Sequence, residues 1–540
     1  MSLHDLPIHL RSCFLYCSLY PKDYKIRRKL ISKLWIAEGF VEDRGDGTTM
    51  EVAEYYLTEL TQGSLLQVTE RNTCGRARTF VMHDLVGEAT SIIAKLEKFG
   101  IAYSGCGITQ VTHEARHLSI QRGAQSLHSL SSSRLRSFIL FDTEVPSRWI
   151  YDVLSHFRLL RVLCLRFTNI EQVPGMVTEL YNLRYVDFSN TNVKHIPASF
   201  RKLTNLQVLD LRFTYVQELP CEINLLTSFT LLAPAAAPCL LQLHSRPWKM
   251  QNRSRQCRAQ VLQKRRWYRC RPCYNICHLK NLQALGIIQA NKNLVSHLGN
   301  MTLMRSLAIM KVRQSYIAEL WSSLTKMPNL SRLLISACDM DEILNLNMLE
   351  ALPNLKLLWM AGKLEGGMLP PLFAEFENLT WLKLDWSDLK KDTISSFSHM
   401  LNLVDLRLFG AYGGQQVTFC IGWFRKLKTL QLADMEHLTQ IEMEEQKMVS
   451  LHVLELSSLR NLKSVPEGIK YITTLNNMFL IDMSIEFIER LQGSDNHIVQ
   501  HVRNIHKFGP SDSQAVNNSI SSEFLAQKYG PGAIKSVPTK

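Results

Sequence analysis

Apolar residues recur at a fixed interval along most of the chain. Three consecutive segments, 160–174, 183–197 and 206–220, share the pattern L-x-x-L-x-L, with large apolar residues at the anchor positions, and each ends in Pro. The period is 23 residues. Alternate residues of an extended chain point to the same side, so L-x-x-L-x-L predicts a short strand with one buried face. Each period therefore predicts one strand, one turn and a second apolar pair that closes a coil.

The same anchors return further along the chain. They are Leu285, Leu307, Leu333, Leu358, Leu382, Leu406, Leu430, Leu454 and Met478, and the last five intervals are 24 residues each. Weaker anchors at Leu118 and Phe138 indicate that the repeats begin near residue 115. This length and pattern are typical of the leucine-rich repeat, whose coils stack into one body. We expect an α/β leucine-rich-repeat solenoid of horseshoe form.

The first 105 residues follow another pattern. Apolar residues at helical spacing in 6–19, 30–40 and 52–66 predict three amphipathic helices. Residues 65–68 and 79–82 are strand-like and flank a polar turn, which predicts a hairpin. Helices followed by a hairpin indicate a small winged-helix α+β domain. A last helix from about His83 is expected to bury an apolar face made of Leu85, Ala89, Ile92, Ile93 and Leu96.

The chain divides by these patterns into successive segments. We expect a winged helix over 1–105, repeats over 115–232, an insert over 233–277, repeats over 278–485, a cap over 486–508 and a flexible tail over 509–540. The insert lacks the repeat register and is rich in Arg, Pro, Gln and Cys, as in an unremoved intron or a frame-shifted segment. We expect it to be disordered.

Composition agrees with these predicted domains, and the charge is unusual in one segment. Hydrophobic residues make up 46% of the chain, which excludes a mostly disordered protein. The net charge is +14, but residues 223–318 hold 15 Lys and Arg and no Asp or Glu. The rest of the chain is nearly neutral, so nucleic-acid binding is not expected of the surface as a whole. Residues 265–269, Arg-Arg-Trp-Tyr-Arg, are a local alternative.

Targeting signals are not found in the sequence. No apolar stretch is long enough for a bilayer, and the first 20 residues do not resemble a secretory signal. The 13 cysteines are odd in number and irregularly spaced, which favours reduced thiols. We expect the chain in the cytoplasm, including the inner face of the plasma membrane, without a transmembrane segment. Formal glycosylation sequons, such as Asn378-Leu379-Thr380, then have no meaning.

Four blocks in the first 105 residues carry a resemblance to a known family. They read CFLYCSLYP at 13–21, LWIAEGF at 34–40, AEYYL at 53–57 and MHDL at 82–85. With the repeats, they resemble the plant nucleotide-binding leucine-rich-repeat disease-resistance proteins of the coiled-coil class. The resemblance implies that Met82, His83 and Asp84 are the ADP-sensing motif, with the histidine near the β-phosphate. Taken alone, His83 and Asp84 could instead cap a helix.

The chain departs from this family in one respect. No G-x-x-x-x-G-K-[ST] loop occurs, and the only Gly-Lys pair, Gly362-Lys363, lies within the repeats. The chain therefore looks like the C-terminal part of a receptor, without the P-loop ATPase core. We expect no nucleotide binding by this chain alone, although ADP and ATP are the cofactors of the full-length family.

Two motifs could indicate metal chemistry. His113-Glu114-Ala115-Arg116-His117 matches the H-E-x-x-H zinc motif, which needs a helix, whereas His117 leads into a predicted strand. Cys270-x2-Cys273-x3-Cys277-His278 has zinc-like spacing but no second pair of ligands. We expect no metal site and no enzyme activity.

The remaining candidate is the strand face of the repeats. Residues between the strand leucines, such as Cys164, Asp187 and Asp210, are expected to face outward and to line a partner. Trp and Arg are favoured at interfaces, so the predicted partner-binding residues are Trp359, Trp381, Lys383, Asp385, Trp386 and Arg407.

The resemblance implies an innate-immunity receptor whose repeats recognise a pathogen effector or a guarded host protein. The nucleotide-binding core would be a further partner, in cis or in trans. The alternative function is a leucine-rich-repeat scaffold or a ubiquitin-ligase substrate adaptor without nucleotide switching.

Overall fold

The computed structural model describes residues 6–42, 48–72, 75–105, 114–124, 134–233, 276–339, 341–390, 397, 400–419, 424–443 and 448–509. They divide into two compact units, one up to residue 282 and one from residue 283. Within these ranges, no helix has the length and the apolar character that a membrane crossing requires. Residues 234–275, and with them nearly all of the predicted insert, lie outside the described part.

The first unit begins with the predicted winged helix. Helices α1 (Ile8–Cys17), α2 (Arg28–Glu38) and α3 (Thr49–Gln62) accompany an antiparallel sheet of β1 (Ile26–Arg27), β2 (Gln67–Arg71) and β3 (Ala77–Val81), in the order β1-β3-β2. Both the three helices and the hairpin are confirmed. Helix α3 begins in a capping box, in which the Glu51 amide donates to Thr48 Oγ1 and the Thr48 amide to the Glu51 carboxylate.

Helix α4 (Asp84–Leu96) forms where it is expected, but its predicted buried face is wrong. Leu85, Ile92 and Leu96 are 72%, 61% and 76% exposed, and the buried residues of this helix are Thr90 and Ala94. The apolar spacing is helical, yet in the described part of the chain nothing covers that side. Periodicity identifies a helix and its apolar side, but it does not show that the helix packs through that side.

A parallel sheet follows in the same unit. Its strands pair in chain order: β4 (Gly100–Tyr103), β5 (His117–Ile120), β6 (Ser137–Leu140), β7 (Val162–Cys164), β8 (Tyr185–Asp187), β9 (Val208–Asp210) and β10 (Leu231–Ala233). Strand β4 has no leucine anchor, and the repeat pattern did not predict it. Helix α5 (Ser147–Leu154) lies between β6 and β7, and 3-10 helices Gly175–Glu179, Ala198–Lys202 and Cys221–Leu225 follow the period-ending prolines.

The second unit is built on another parallel sheet. Its paired strands are β11 (Ala284–Gln289), β12 (Ser306–Val312), β13 (Arg332–Ala337), β15 (Leu357–Ala361), β17 (Trp381–Asp385), β18 (Asp405–Phe409), β20 (Thr429–Ala433), β22 (Val453–Ser457), β23 (Asn477–Ile481) and β24 (Asn504–Phe508). The anchor leucines lie opposite one another from strand to strand, as in Leu358↔Leu382↔Leu406. The repeat register is therefore confirmed. Strand β24 lies beyond the last anchor.

Shorter elements connect these strands. The helices are α6 (Lys292–His297), α7 (Ile317–Leu324), α8 (Ile485–Gln492) and α9 (Asn496–Val499), and the strands are β14 (Ile343–Leu344), β16 (Lys363–Leu364), β19 (Gln416–Phe419) and β21 (Gln440–Met443). Strand β14 pairs with β16, and β19 pairs with β21, both in parallel.

Asparagine side chains link successive coils. Asn354, Asn378 and Asn402 donate from Nδ2 to the carbonyl oxygens of Pro328, Pro353 and Glu377, at 2.9, 2.7 and 2.7 Å. Each bond satisfies a backbone acceptor one coil earlier, on the exposed side of the turns. Asn378 belongs to one of the formal sequons, and its side-chain amide is used in this ladder.

Candidate functional site

The Met-His-Asp motif lies at the junction of β3 and α4. His83 precedes the helix in an extended conformation, and its side chain makes no capping bond. The side chain of Asp84 pairs with Lys22, with 2.8 Å between Nζ and Oδ2, and this hydrogen bond and charge raise the pKa of Lys22. His83 is exposed at the N-terminal end of a 13-residue helix. Such an end carries free amides and a partial positive charge, which suit a phosphate.

The winged helix covers the strand face of the first repeats. Ile139, Val162, Cys164, Tyr185 and Val208 share one core with the winged-helix residues. The prediction that the strand face is open to a partner is wrong here, because Cys164, Asp187 and Asp210 are all buried. Helix α2 packs against β7 and β8 and excludes a partner from this part of the face.

Burial changes the acid–base properties of these residues. Burial, together with the neighbouring Asp210 carboxylate, raises the pKa of Asp187. Burial also acts on Asp210, but the Arg212 guanidinium overcomes it and holds the pKa of that carboxyl low. The two carboxyl groups therefore have opposite shifts, which follow from their different cationic neighbours.

A buried polar network joins the winged helix to the first strands. Tyr16 Oη lies 2.7 Å from Ser137 Oγ, and Ser137 donates to the Glu38 carboxylate. A serine has one hydroxyl proton, so Tyr16 must donate to Ser137. His117 Nδ1 is 3.6 Å from Glu38 Oε1, and the Glu38 side chain is fully buried. Burial, together with the Glu38 charge, raises the pKa of Tyr16.

The end of α2 places Glu38 in this network. Gly39 has a left-handed backbone, with φ of 82°, and its amide and that of Phe40 close the helix on Ile36 and Trp35. Arg161 Nη1 donates to the Glu38 carbonyl oxygen at 2.6 Å. The sequence block LWIAEGF therefore contains the end of helix α2 and a contact between the winged helix and the repeats. The sequence analysis predicted the helix but not this contact.

In the second unit, the strand face brings five predicted partner residues together. Lys383 Nζ is 2.9 Å from Asp385 Oδ2, which also accepts from Trp359 Nε1 at 2.8 Å. The Lys383 ammonium lies 5.2 Å from the Trp359 ring centroid. The Arg407 guanidinium lies 5.7 Å from the Trp381 ring centroid. These contacts form one cation–π and ion-pair cluster.

Two members of this cluster differ from the expectation. Lys383 and Asp385 are each 1% exposed, so they support the surface from beneath and do not themselves present charge. Burial lowers the pKa of Lys383 and raises that of Asp385. Trp386 lies in the turn after β17, where its ring centroid is 5.3 Å from that of Phe409. Trp381, Trp386 and Arg407 are partly exposed.

Each metal motif of the sequence lies only in part within the described residues. His117 lies in strand β5 and contacts Glu38, while His113 lies outside the described residues. Cys277 is buried, and Cys270 and Cys273 lie outside that part as well. The structure does group Cys338, Asp339 and Glu342 within 4.8 Å, which the sequence analysis missed. Their carboxylates accept from backbone amides, Glu342 from the Gln314 amide at 2.6 Å and Asp339 from the Glu342 amide at 2.9 Å.

Two family profiles agree with the fold. A family profile described as the disease resistance protein winged helix domain matches residues 19–88. A second profile, described as a leucine-rich repeat region, matches residues 134–238 and 261–505. Among solved structures, a leucine-rich-repeat protein of Leptospira interrogans (LIC12759) matches with a TM-score of 0.44 and 15% identity, over 76% of this chain and 97% of its own.

Similar full sequences come from plants. Disease resistance protein RPM1 of Arabidopsis thaliana is 35% identical over 97% of this chain and 54% of its own length. The probable disease resistance RPP8-like protein 2 of the same plant is 26% identical over 94% of this chain and 54% of its own. Disease resistance protein Pik-2 of Oryza sativa subsp. japonica is 32% identical over 34% of this chain and 21% of its own. The chain spans about half the length of the first two relatives.

Proposed function

Since the chain belongs to the plant disease-resistance proteins that join a winged-helix domain to leucine-rich repeats, we propose that it is the recognition part of an innate-immunity receptor. Its ligand is a pathogen effector or a host protein that an effector modifies. The role requires a surface that binds protein, and it requires no catalysis. Recognition takes place in the cytoplasm or at the inner face of the plasma membrane, which a fluorescent fusion would locate.

The observation that carries this proposal is the aromatic and cationic cluster on the strand face of the second unit. Trp381 and Arg407 are partly exposed and stacked on each other, Asp405 pairs with Arg407, and the buried Lys383–Asp385 pair contacts the neighbouring Trp359. Stacked Trp and Arg side chains bury much area at a small cost in side-chain entropy, which makes them suitable interface anchors.

The Met-His-Asp motif supports a second part of the proposal. An exposed His83 at the start of α4 fits the phosphate end of ADP held by a separate core. The chain offers one contact to the nucleotide but not the glycine-rich cradle or its lysine. We therefore propose that His83, with Met82 and Asp84, completes an ADP site only when the core is present. Bound ADP would then switch the receptor between its states. Tight ADP binding by the chain alone, measured by calorimetry, would contradict the proposal that the core is needed.

A binding screen tests the recognition role. The full chain is screened against secreted pathogen proteins and against host proteins of the same tissue, and each hit is then tested on two variants. Trp381→Ala should weaken binding about tenfold or more, because it removes a central anchor. Tyr471→Ala, which removes a 41% exposed aromatic ring outside the strand face, should leave binding unchanged. Hits that tolerate Trp381→Ala would place recognition elsewhere.

A further inference from the structure

One row of side chains crosses the strand face of the second unit. Strand register aligns nine residues in it: Ala308, Leu334, Trp359, Lys383, Arg407, Gln431, Glu455, Phe479 and His506. The row changes in character along its length. It begins apolar, becomes charged at Lys383, and ends on two stacked rings 4.7 Å apart.

At the apolar end of the row, apolar side chains from neighbouring positions extend the apolar surface beyond the row. Trp359 and Ala361 pack with four partly exposed neighbours, Ile287, Met310, Leu334 and Trp381. A small depression opens among Ile287, Ala308, Leu334 and Trp359. We name the six packed residues the apolar patch. A surface of this kind gains free energy when a bulky apolar side chain covers it.

The charged stretch is not balanced. Its charged side chains are Lys383, Asp385, Asp405, Arg407 and Glu455, two cations against three anions. Asp385 pairs with Lys383, and Asp405 accepts from Arg407 Nε at 2.8 Å. Glu455 receives a neutral amide, Gln431 Nε2, at 2.8 Å. The stretch therefore has an excess of negative charge, and that excess lies at Glu455.

Gln431 holds the Glu455 carboxylate in place. The Gln431 side chain is 4% exposed, and its Nε2 donates to Glu455 Oε1 at 2.8 Å. Its own Oε1 is buried, so a partner can contact Glu455 but not this oxygen. Glu455 is partly exposed. Burial raises its pKa against the opposing charge of Arg407, so a further cation would stabilise its charged form. Glu455 therefore favours a cationic partner.

We infer that the partner of this face presents a bulky apolar side chain to the apolar patch and a Lys or Arg side chain to Glu455. The strands of Trp359 and Glu455 are four steps apart, which is about 19 Å at the usual strand spacing. A helix places two side chains on one face at spacings of about 11 or 14 residues, which span about 17 and 21 Å. The inference rests on the proposed function, because it assumes that this face binds protein.

The test uses a display library of random peptides selected on the full chain. We expect enrichment of peptides that carry a large apolar residue and a basic residue about 11 or 14 positions apart. Synthetic copies should bind about tenfold more weakly to Glu455→Gln and to Leu334→Gln, because each variant removes one of the two contacts. Both substituted residues are partly exposed, so the fold should tolerate the changes. The matched control Glu375→Gln, in a connecting 3-10 helix, should bind like the original chain.

Reversing the charge of residue 455 is the decisive part of this experiment. Glu455→Lys should reject the selected peptide and accept its copy in which Glu replaces the basic residue. Peptides that lose affinity on Leu334→Gln but bind Glu455→Gln and Glu455→Lys unchanged would overturn the inference and leave the proposed function standing. Peptides indifferent to all these variants and to Trp381→Ala would contradict both.

Discussion

At the residue scale, the turns that follow the strands of the second unit share a left-handed backbone. The residues after β17, β18, β20, β22 and β23 are Trp386, Gly410, Asp434, Ser458 and Asp482, with φ between 50° and 55°. Four of the five carry a side chain, so the backbone angle alone does not require glycine at position 410. What Gly410 provides is space, because a Cβ there would lie 2.6 Å from Trp386 Cδ1.

Replacing Gly410 with Ala tests this steric account. We expect Gly410→Ala to lower the free energy of unfolding by about 1–3 kcal/mol, because the new methyl group displaces the Trp386 indole. In a Trp386→Ala background, the same substitution should cost much less. Denaturant unfolding of the four proteins measures the difference. An equal cost in both backgrounds would show that the backbone angle, and not the indole, determines the residue.

At the element scale, α4 has an apolar side that the described residues leave uncovered. Leu85, Ile92 and Leu96 lie on it, while Lys22 and Arg11 pair with Asp84 and Glu97 near the two ends of the helix. The ion pairs and the buried Thr90 and Ala94 hold the helix in place. The helical spacing of apolar residues in α4 therefore marks an exposed side of the helix. The stability of the helix does not depend on these apolar side chains.

Polar substitution on this side should therefore be tolerated. We expect Ile92→Gln to change the free energy of unfolding by less than about 0.5 kcal/mol, since an exposed side chain gains little from folding. Leu60→Ala, at a residue 1% exposed in the winged-helix core, should cost about 2–5 kcal/mol. Thermal or denaturant unfolding compares the two. A large loss in Ile92→Gln would mean that this side is packed in solution.

At the scale of the first unit as a whole, winged helix and repeats share a core that contains weak acids. Cys17, Cys164, Tyr16, Tyr20 and Tyr185 are buried in it. Burial raises the pKa of each of these groups, and that of Cys164 to about 12. The folded state therefore holds these protons more tightly than the unfolded chain does, and the two parts of the unit should respond together to high pH.

Alkaline pH should destabilise this unit. Because the pKa of Cys164 is raised on folding, its contribution is complete below the ordinary value of 9.0 and is lost as pH rises toward about 12. Each such group adds up to about 1.4 kcal/mol of lost stability per pH unit in that window. Thermal unfolding between pH 8 and 11 measures the loss, which Cys164→Ser should reduce. A transition temperature constant over this range would refute the prediction.

Thiol labelling gives a separate check on the same burial. Exposed Cys221 should react with iodoacetamide at pH 8 well before buried Cys164, whose thiol remains protonated. Mass spectrometry of the digested protein distinguishes the two sites. Equal labelling of both thiols would show that the shared core opens.

The repeats and the winged helix could be predicted from the sequence because their signals are local. Leu358, Leu382 and Leu406 recur at 24 residues and pair directly in the sheet, and the change from helical to alternating spacing marks the hairpin. A strand of five residues or a helix of 14 depends mainly on its own apolar pattern. The order of elements and the strand register followed from these patterns without knowledge of distant contacts.

Tertiary structure alone decided which faces are covered. Glu38 and Ser137 are 99 residues apart, and nothing in either segment indicates that they meet. The same strand position is buried by the winged helix at Cys164 and partly exposed at Arg407, although the repeat pattern is the same. A periodic sequence specifies the side to which each residue points. What lies against that side depends on how separate elements dock, and docking is determined by contacts between residues far apart in the chain.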